Sequence, residues 1–142
     1  MSKLNLSQFD VVNAAEEGAW MDVYTPSGEK SEARIKLLGT DSKVYRDRVR
    51  ANLNSRLNKK PGKRQDIDFD REERKGLELL AKMTITWEGI YNEEKDPDTG
   101  ELVEVEVVHS FESAIALYKQ YPWIKEQVDE FVADRNNFLK NA

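Results

Sequence analysis

The sequence predicts an α+β fold, mainly α-helical, with an N-terminal antiparallel β-hairpin and a C-terminal helical pair, in one domain of 142 residues. Three observations carry this. Apolar residues alternate with polar ones on both sides of a Pro-Ser-Gly turn at Pro26–Gly28, the mark of a hairpin. Apolar rows recur every three to four residues further along, the mark of amphipathic helices. Pro122 splits the last helical stretch in two and suits the first turn of the second helix. The hairpin spans 19–38, and the helices span 41–58, 70–84, 110–120 and 122–140.

Each element follows from its residues. Leu4, Leu6, Phe9, Val12 and Ala15 recur at short spacings, with Ser7 as a cap and Gly18 as a stop for a short helix. Ala19–Tyr24 reads as a strand, with Trp20, Asp22 and Tyr24 on one face and Met21 and Val23 on the other. Pro26 pre-sets φ and Gly28 tolerates a positive φ, so the chain turns there. Ala33, Ile35 and Leu37 form the apolar face of the returning strand. Thr40 or Asp41 then caps a helix in which Tyr45, Val49, Leu53 and Leu57 step by four, with Arg46 and Arg50 placed off that row. Asp70 with Glu73 resembles a capping box for a helix striped by Leu77, Leu80 and Met83. Thr84–Trp87 is β-branched and aromatic, so a strand is an alternative there.

Asp96–Gly100 is a second turn of the Pro26 kind, and the Val/Glu alternation after Leu102 predicts a half-buried strand with an acidic outer face. Ser110 caps the helix of Phe111, Ala114, Ile115, Leu117 and Tyr118. In the last helix Ile124, Val128, Phe131, Arg135 and Phe138 are spaced four, three, four, three.

Composition excludes several function classes. The absence of Cys removes disulfides, a thiol nucleophile and thiolate metal sites, and a single His removes multi-histidine metal centres. Apolar runs are a few residues long, against the roughly 20 a membrane span needs. The first ten residues lack the apolar stretch of a secretory signal. A soluble, cytosolic protein without cofactor or membrane partner is expected. The carboxylate pairs Glu93-Glu94, Asp96-Asp98 and Glu104-Glu106 fall in turns or on a predicted solvent face, where acid–base chemistry has no apolar pocket to tune it. Asp96-Pro97-Asp98 lacks the ligand pattern of a calcium loop.

The net charge of −5 hides a strong asymmetry: residues 29–64 carry +8 and residues 85–114 carry −8. Arg46, Arg50, Lys59, Lys60 and Arg64 on one side, and Glu93, Glu94, Glu104 and Glu106 on the other, are candidates for complementary contacts between copies. The basic 43–64 segment also allows a nucleic-acid-binding accessory role. However, it lacks a stacking platform or a helix-turn-helix, so nucleic acid is not the expected partner. On the last helix Trp123, Ile124, Phe131, Phe138 and Leu139 are candidates for an apolar partner face.

Several local patterns occur in order. Pro26-Ser27-Gly28-Glu29 precedes Ile35–Ser42 and Tyr45; Trp87-Glu88-Gly89-Ile90 follows. Phe111, Ala114 and Leu117 lead to Pro122-Trp123-Ile124, and Gln127–Phe131 leads to Asp134–Phe138. In that order the chain resembles the tail assembly chaperones of long-tailed bacteriophages and their prophages, from about Trp20 to Leu139. The acidic stretch before Val103 and the Lys59–Arg64 loop depart from the pattern. The resemblance implies a non-enzymatic protein of the host bacterial cytoplasm, absent from the finished virion. It implies binding to the tape measure protein, recruitment of the major tail (tube) protein, and self-association. A structural tail component retained in the virion is the competing expectation.

Overall fold

The computed structural model describes residues 3–57 and 69–139. The fold is α+β, with a three-stranded antiparallel sheet covered on one face by helices. Strands β1 (Ala19–Tyr24), β2 (Lys30–Leu37) and β3 (Thr84–Glu88) lie in that order, with Met21 opposite Ile35 and Ile35 opposite Trp87. Alternation decides which face is covered. Met21, Val23, Ala33, Ile35 and Leu37 point into the core, while Trp20, Arg34 and Lys36 point away. On that outer face the Arg34 guanidinium lies 4.5 Å from the Trp20 ring centroid, and its Nε donates to Glu88 at 2.8 Å.

Three helices supply the opposing layer: α3 (Phe69–Met83), α4 (Phe111–Gln120) and α5 (Pro122–Ala133). Ile35, Leu37, Met83 and Val128 are wholly buried, each worth about 1.5–3 kcal/mol relative to an exposed side chain. Ser110 and Ser113 cap α4 reciprocally, each backbone N–H donating to the other's hydroxyl. Pro122 opens α5 as expected.

The two ends of the chain build a second, smaller core. A short 3₁₀ turn (Leu6–Phe9) precedes α1 (Val11–Glu17). The expected Ser7 cap is corrected here: Asn5 caps the turn and Asp10 caps α1, because their carbonyl and carboxylate oxygens accept the exposed N–H groups. The single helix expected over 122–140 is two helices. Asp134 adopts an extended conformation and its carboxylate accepts the Asn136 N–H, starting α6 (Asn136–Leu139). The break folds Phe138 back onto Ala14, Ala19 and Phe131. Gly39 lets this happen, since a Cβ there would stand 2.9 Å from Ala15 Cβ and 3.2 Å from the Phe138 ring. Residues 140 and beyond, where the expected helix ended, lie outside the described residues.

Three further expectations are corrected. Helix α2 (Lys43–Leu57) starts later than 41, because Asp41 is engaged by Arg135 while Ser42 carbonyl oxygen accepts the Arg46 N–H. Glu16 reaches across from α1 to accept the Lys43 N–H. Helix α3 already includes Asp70 in its first turn, so the Asp70–Glu73 capping box is not what starts it, and it gives way to β3 at Thr84. The Thr84 hydroxyl donates to the Leu80 carbonyl at 2.8 Å, satisfying a helix end without a loop.

The last two strands, β4 (Tyr91–Lys95) and β5 (Leu102–Glu106), form a separate two-stranded sheet. The half-buried strand expected after Leu102 is instead exposed on both faces, since no helix layer reaches it. Its base is tied down by the Val107 N–H donating to the Ile90 carbonyl and the Trp87 Nε1–H donating to the Val107 carbonyl at 2.7 Å.

Candidate interaction surfaces

The apolar face expected on the last helix turns inward. Ile124 and Phe138 are buried, Trp123 and Phe131 pack against the main core, and Leu139 packs against the small one. The physical reason is that the apolar stripe of α5 is what covers the sheet face of Met21, Val23 and Ile35. Trp123 still reaches an opening. It lines a cleft of about 260 Å³ with Val23, Ile90, Leu117 and Tyr121, below the β4–β5 hairpin. No carboxylate, imidazole or lysine lines that cleft, so it offers apolar contact without a group to move protons near neutral pH. The lone His109 packs edge-on against Trp87 at 4.9 Å.

One exposed apolar surface lies on α2. Val49, Leu53 and Leu57 are 50%, 55% and 73% exposed. The opposite side of the helix, with Val44, Arg48 and Ala51, faces Lys75, Leu79 and Lys82 of α3 across a shared groove. Helix α2 therefore packs through Val44 and through Tyr45, the first of the expected row, and leaves Val49, Leu53 and Leu57 open on the far side. Arg46, Arg50 and Arg56 interleave with the row. The positions 46, 49, 50, 53, 56 and 57 fall within about a third of the circumference at 3.6 residues per turn. Arg46 and Arg50, expected off the row, are joined to it by the helical geometry. That interleaving was the available signal that the row is not core. Lys59, Lys60 and Arg64 lie outside the described residues.

The acidic candidates gather on the β4–β5 hairpin. Directly opposed residues of an antiparallel pair share a face. Glu93 opposes Glu104, Tyr91 opposes Glu106 and Lys95 opposes Leu102, so one face carries three carboxylates and one lysine, with Tyr91 and Leu102 at its two ends. Glu94 opposes Val103 and Asn92 opposes Val105 on the other face. Like charges set directly across a ladder are destabilising. Among the described residues, no ion pair joins Glu93, Glu94, Glu104 or Glu106 to a cation. Among the described residues, the single pair linking the basic and acidic segments is Arg34–Glu88, inside the main sheet. Asp96 is engaged within its own turn, accepting the Asp98 N–H at 2.9 Å.

A third open surface, with no partner face expected there from sequence, is the N-terminal segment. Leu4 and Leu6 are each 74% exposed, Phe9 53% and Val12 43%. Their only charged neighbours in the stretch are Lys3 and Asp10, so this patch is nearly uncharged, unlike α2.

No helix among the described residues is long and apolar enough to cross a membrane. Compared with protein-family models, curated proteins and solved structures, the chain matches none.

Proposed function

We propose that this protein is a non-catalytic tail assembly chaperone of a long-tailed bacteriophage or prophage, working in the host bacterial cytoplasm. In this reading it binds the tape measure protein, helps recruit the major tail (tube) protein, and self-associates. The order of motifs from Trp20 to Leu139 supports it.

The observation that carries the reading is the open apolar row Leu4, Leu6, Phe9 and Val12. A chaperone for a long helical client needs apolar surface that stays open when the chaperone itself is folded. Scattered exposed apolar residues are ordinary, but a cluster marks a docking site. A repeating client helix engages many copies through such a row, and the copies gain by avidity.

Co-expression tests this. With the wild-type chain, a tape measure protein is expected to move from the pellet to the soluble fraction. With the Leu6→Ser/Phe9→Ser variant it is expected to return to the pellet. A tape measure protein that stays as insoluble with the wild-type chain as without it overturns the reading.

A further inference from the structure

The β4–β5 hairpin and the α2 stripe are both incomplete in one copy, and they are incomplete in complementary ways. A two-stranded sheet is marginal in water unless it packs on something. Here all ten strand residues are exposed, and Glu93 faces Glu104, with Lys95 on the same face but in no ion pair with either among the described residues. Helix α2 has the opposite lack: an open row of Val49, Leu53 and Leu57 flanked by arginines. We propose that the acidic face of the β4–β5 hairpin of one copy seats on the basic, apolar α2 stripe of a second copy.

The dimensions agree. From position 46 to position 57 the stripe is about 17 Å long at 1.5 Å per residue. Five strand residues span about 13 Å between their ends at 3.3 Å per step. Arg50 and Arg56 meet the Glu93, Glu104 and Glu106 carboxylates, while Val49 and Leu57, about 12 Å apart along the helix, meet Tyr91 and Leu102 at the two ends of the acidic face. The hairpin and the stripe are different surfaces, so the contact is heterologous. Each copy keeps one free hairpin and one free stripe, and the assembly grows into a ring or an open helix. The proposal refines the self-association within the chaperone reading. It is tested without any tape measure protein, so either can fail alone.

Charge reversal in trans decides it. In sedimentation velocity the wild-type chain is expected to assemble at low salt and to dissociate in about 1 M salt, where the Debye length is about 3 Å. Two variants reverse one surface each: Glu93→Lys/Glu104→Lys/Glu106→Lys on the hairpin, and Arg50→Glu/Arg56→Glu on α2. Arg46 is kept because its Nε donates to the Asp41 carbonyl. Each variant alone is expected to self-associate at least about tenfold more weakly, because like charges meet. An equimolar mixture restores assembly, since each variant's reversed surface fits the other's. A monomeric wild type, or variants that assemble as well as it does, overturns the proposal. So does a mixture of folded variants, checked by circular dichroism, that stays apart.

A second test avoids the charge changes. The chain has no Cys. The Arg50→Cys/Glu104→Cys variant treated with a short bis-maleimide is expected to give a ladder of covalent oligomers. Each single-cysteine variant stays monomeric under the same treatment. Cross-linking confined to one chain, or self-linking of Arg50→Cys alone into dimers, excludes the heterologous contact.

Discussion

Gln127 closes both backbone hydrogen-bonding positions of Tyr24. Its Nε2 donates to the Tyr24 carbonyl at 2.8 Å, and its Oε1 accepts the Tyr24 N–H at 2.9 Å. The side-chain amide stands where a neighbouring strand would, on the outer strand of the sheet. It fixes the roll of α5 against β1 and blunts an edge that would otherwise recruit another chain. Gln127→Ala is expected to cost about 1 kcal/mol, the net value of hydrogen bonds partly replaced by water. Urea unfolding measures the loss, and faster exchange of the Tyr24 amide identifies its source.

Tyr118 and Thr84 form a buried pair, with their hydroxyl oxygens 2.6 Å apart. Thr84 donates its proton to Leu80, so Tyr118 is the donor to Thr84. Burial pushes the Tyr118 phenol up from 10.0 to about 12. The neutral form is thus preferred in the fold. Its contribution to stability is intact below pH 10 and is lost as the pH rises from about 10 towards about 12. Tyr118→Phe is expected to lower stability by about 1–2 kcal/mol at neutral pH. It should also flatten the alkaline decline, which thermal melts across that range detect.

Arg135 grips Asp41 with two hydrogen bonds, Nε to Oδ2 at 2.7 Å and Nη2 to Oδ1 at 2.9 Å. This holds the Asp41 carboxyl below its ordinary value, opposed by its partial burial. A carboxylate with a lowered folded pKa stabilises the fold above its unfolded pKa. That stability is lost as the pH falls through the folded value. Arg135→Gln is expected to leave acid unfolding shallower, with the difference between variant and wild type vanishing at low pH. A melting-temperature profile through the carboxylate range checks it.

Much of this fold was legible because it is local. The Pro26–Gly28 turn joins two alternating runs, Ser110 is an N-cap, and Pro122 can only begin a helix. The pairing of β2 with β3 joins Ile35 to Trp87 across more than a third of the chain, and no short window contains it. The Val103/Glu104 alternation correctly signalled a strand. It could not say whether a layer would cover Val103, and the three available helices already cover β1, β2 and β3. The candidate apolar face failed for a related reason. Amphipathicity locates a stripe, but which stripe is covered depends on the whole packing. Helix α5 had a sheet to cover, while α2 packs only through Val44 and Tyr45 near its start and leaves Val49, Leu53 and Leu57 uncovered.

Ile124 and Leu53 separate these two kinds of stripe by experiment. Ile124 is buried against the sheet, so Ile124→Ala leaves a cavity and is expected to cost about 2–5 kcal/mol. Leu53 is more than half exposed, so Leu53→Ser is expected to change stability by no more than about 0.5 kcal/mol. The order reverses for assembly. Leu53→Ser removes the apolar centre of the α2 stripe and is expected to weaken self-association at concentrations where it remains folded. Ile124→Ala, measured in the cold where it stays folded, is expected to assemble as the wild type does. Urea titration alongside sedimentation of both variants measures the two effects. Were Ile124→Ala to spare stability and abolish assembly, the partner face would lie on α5 after all.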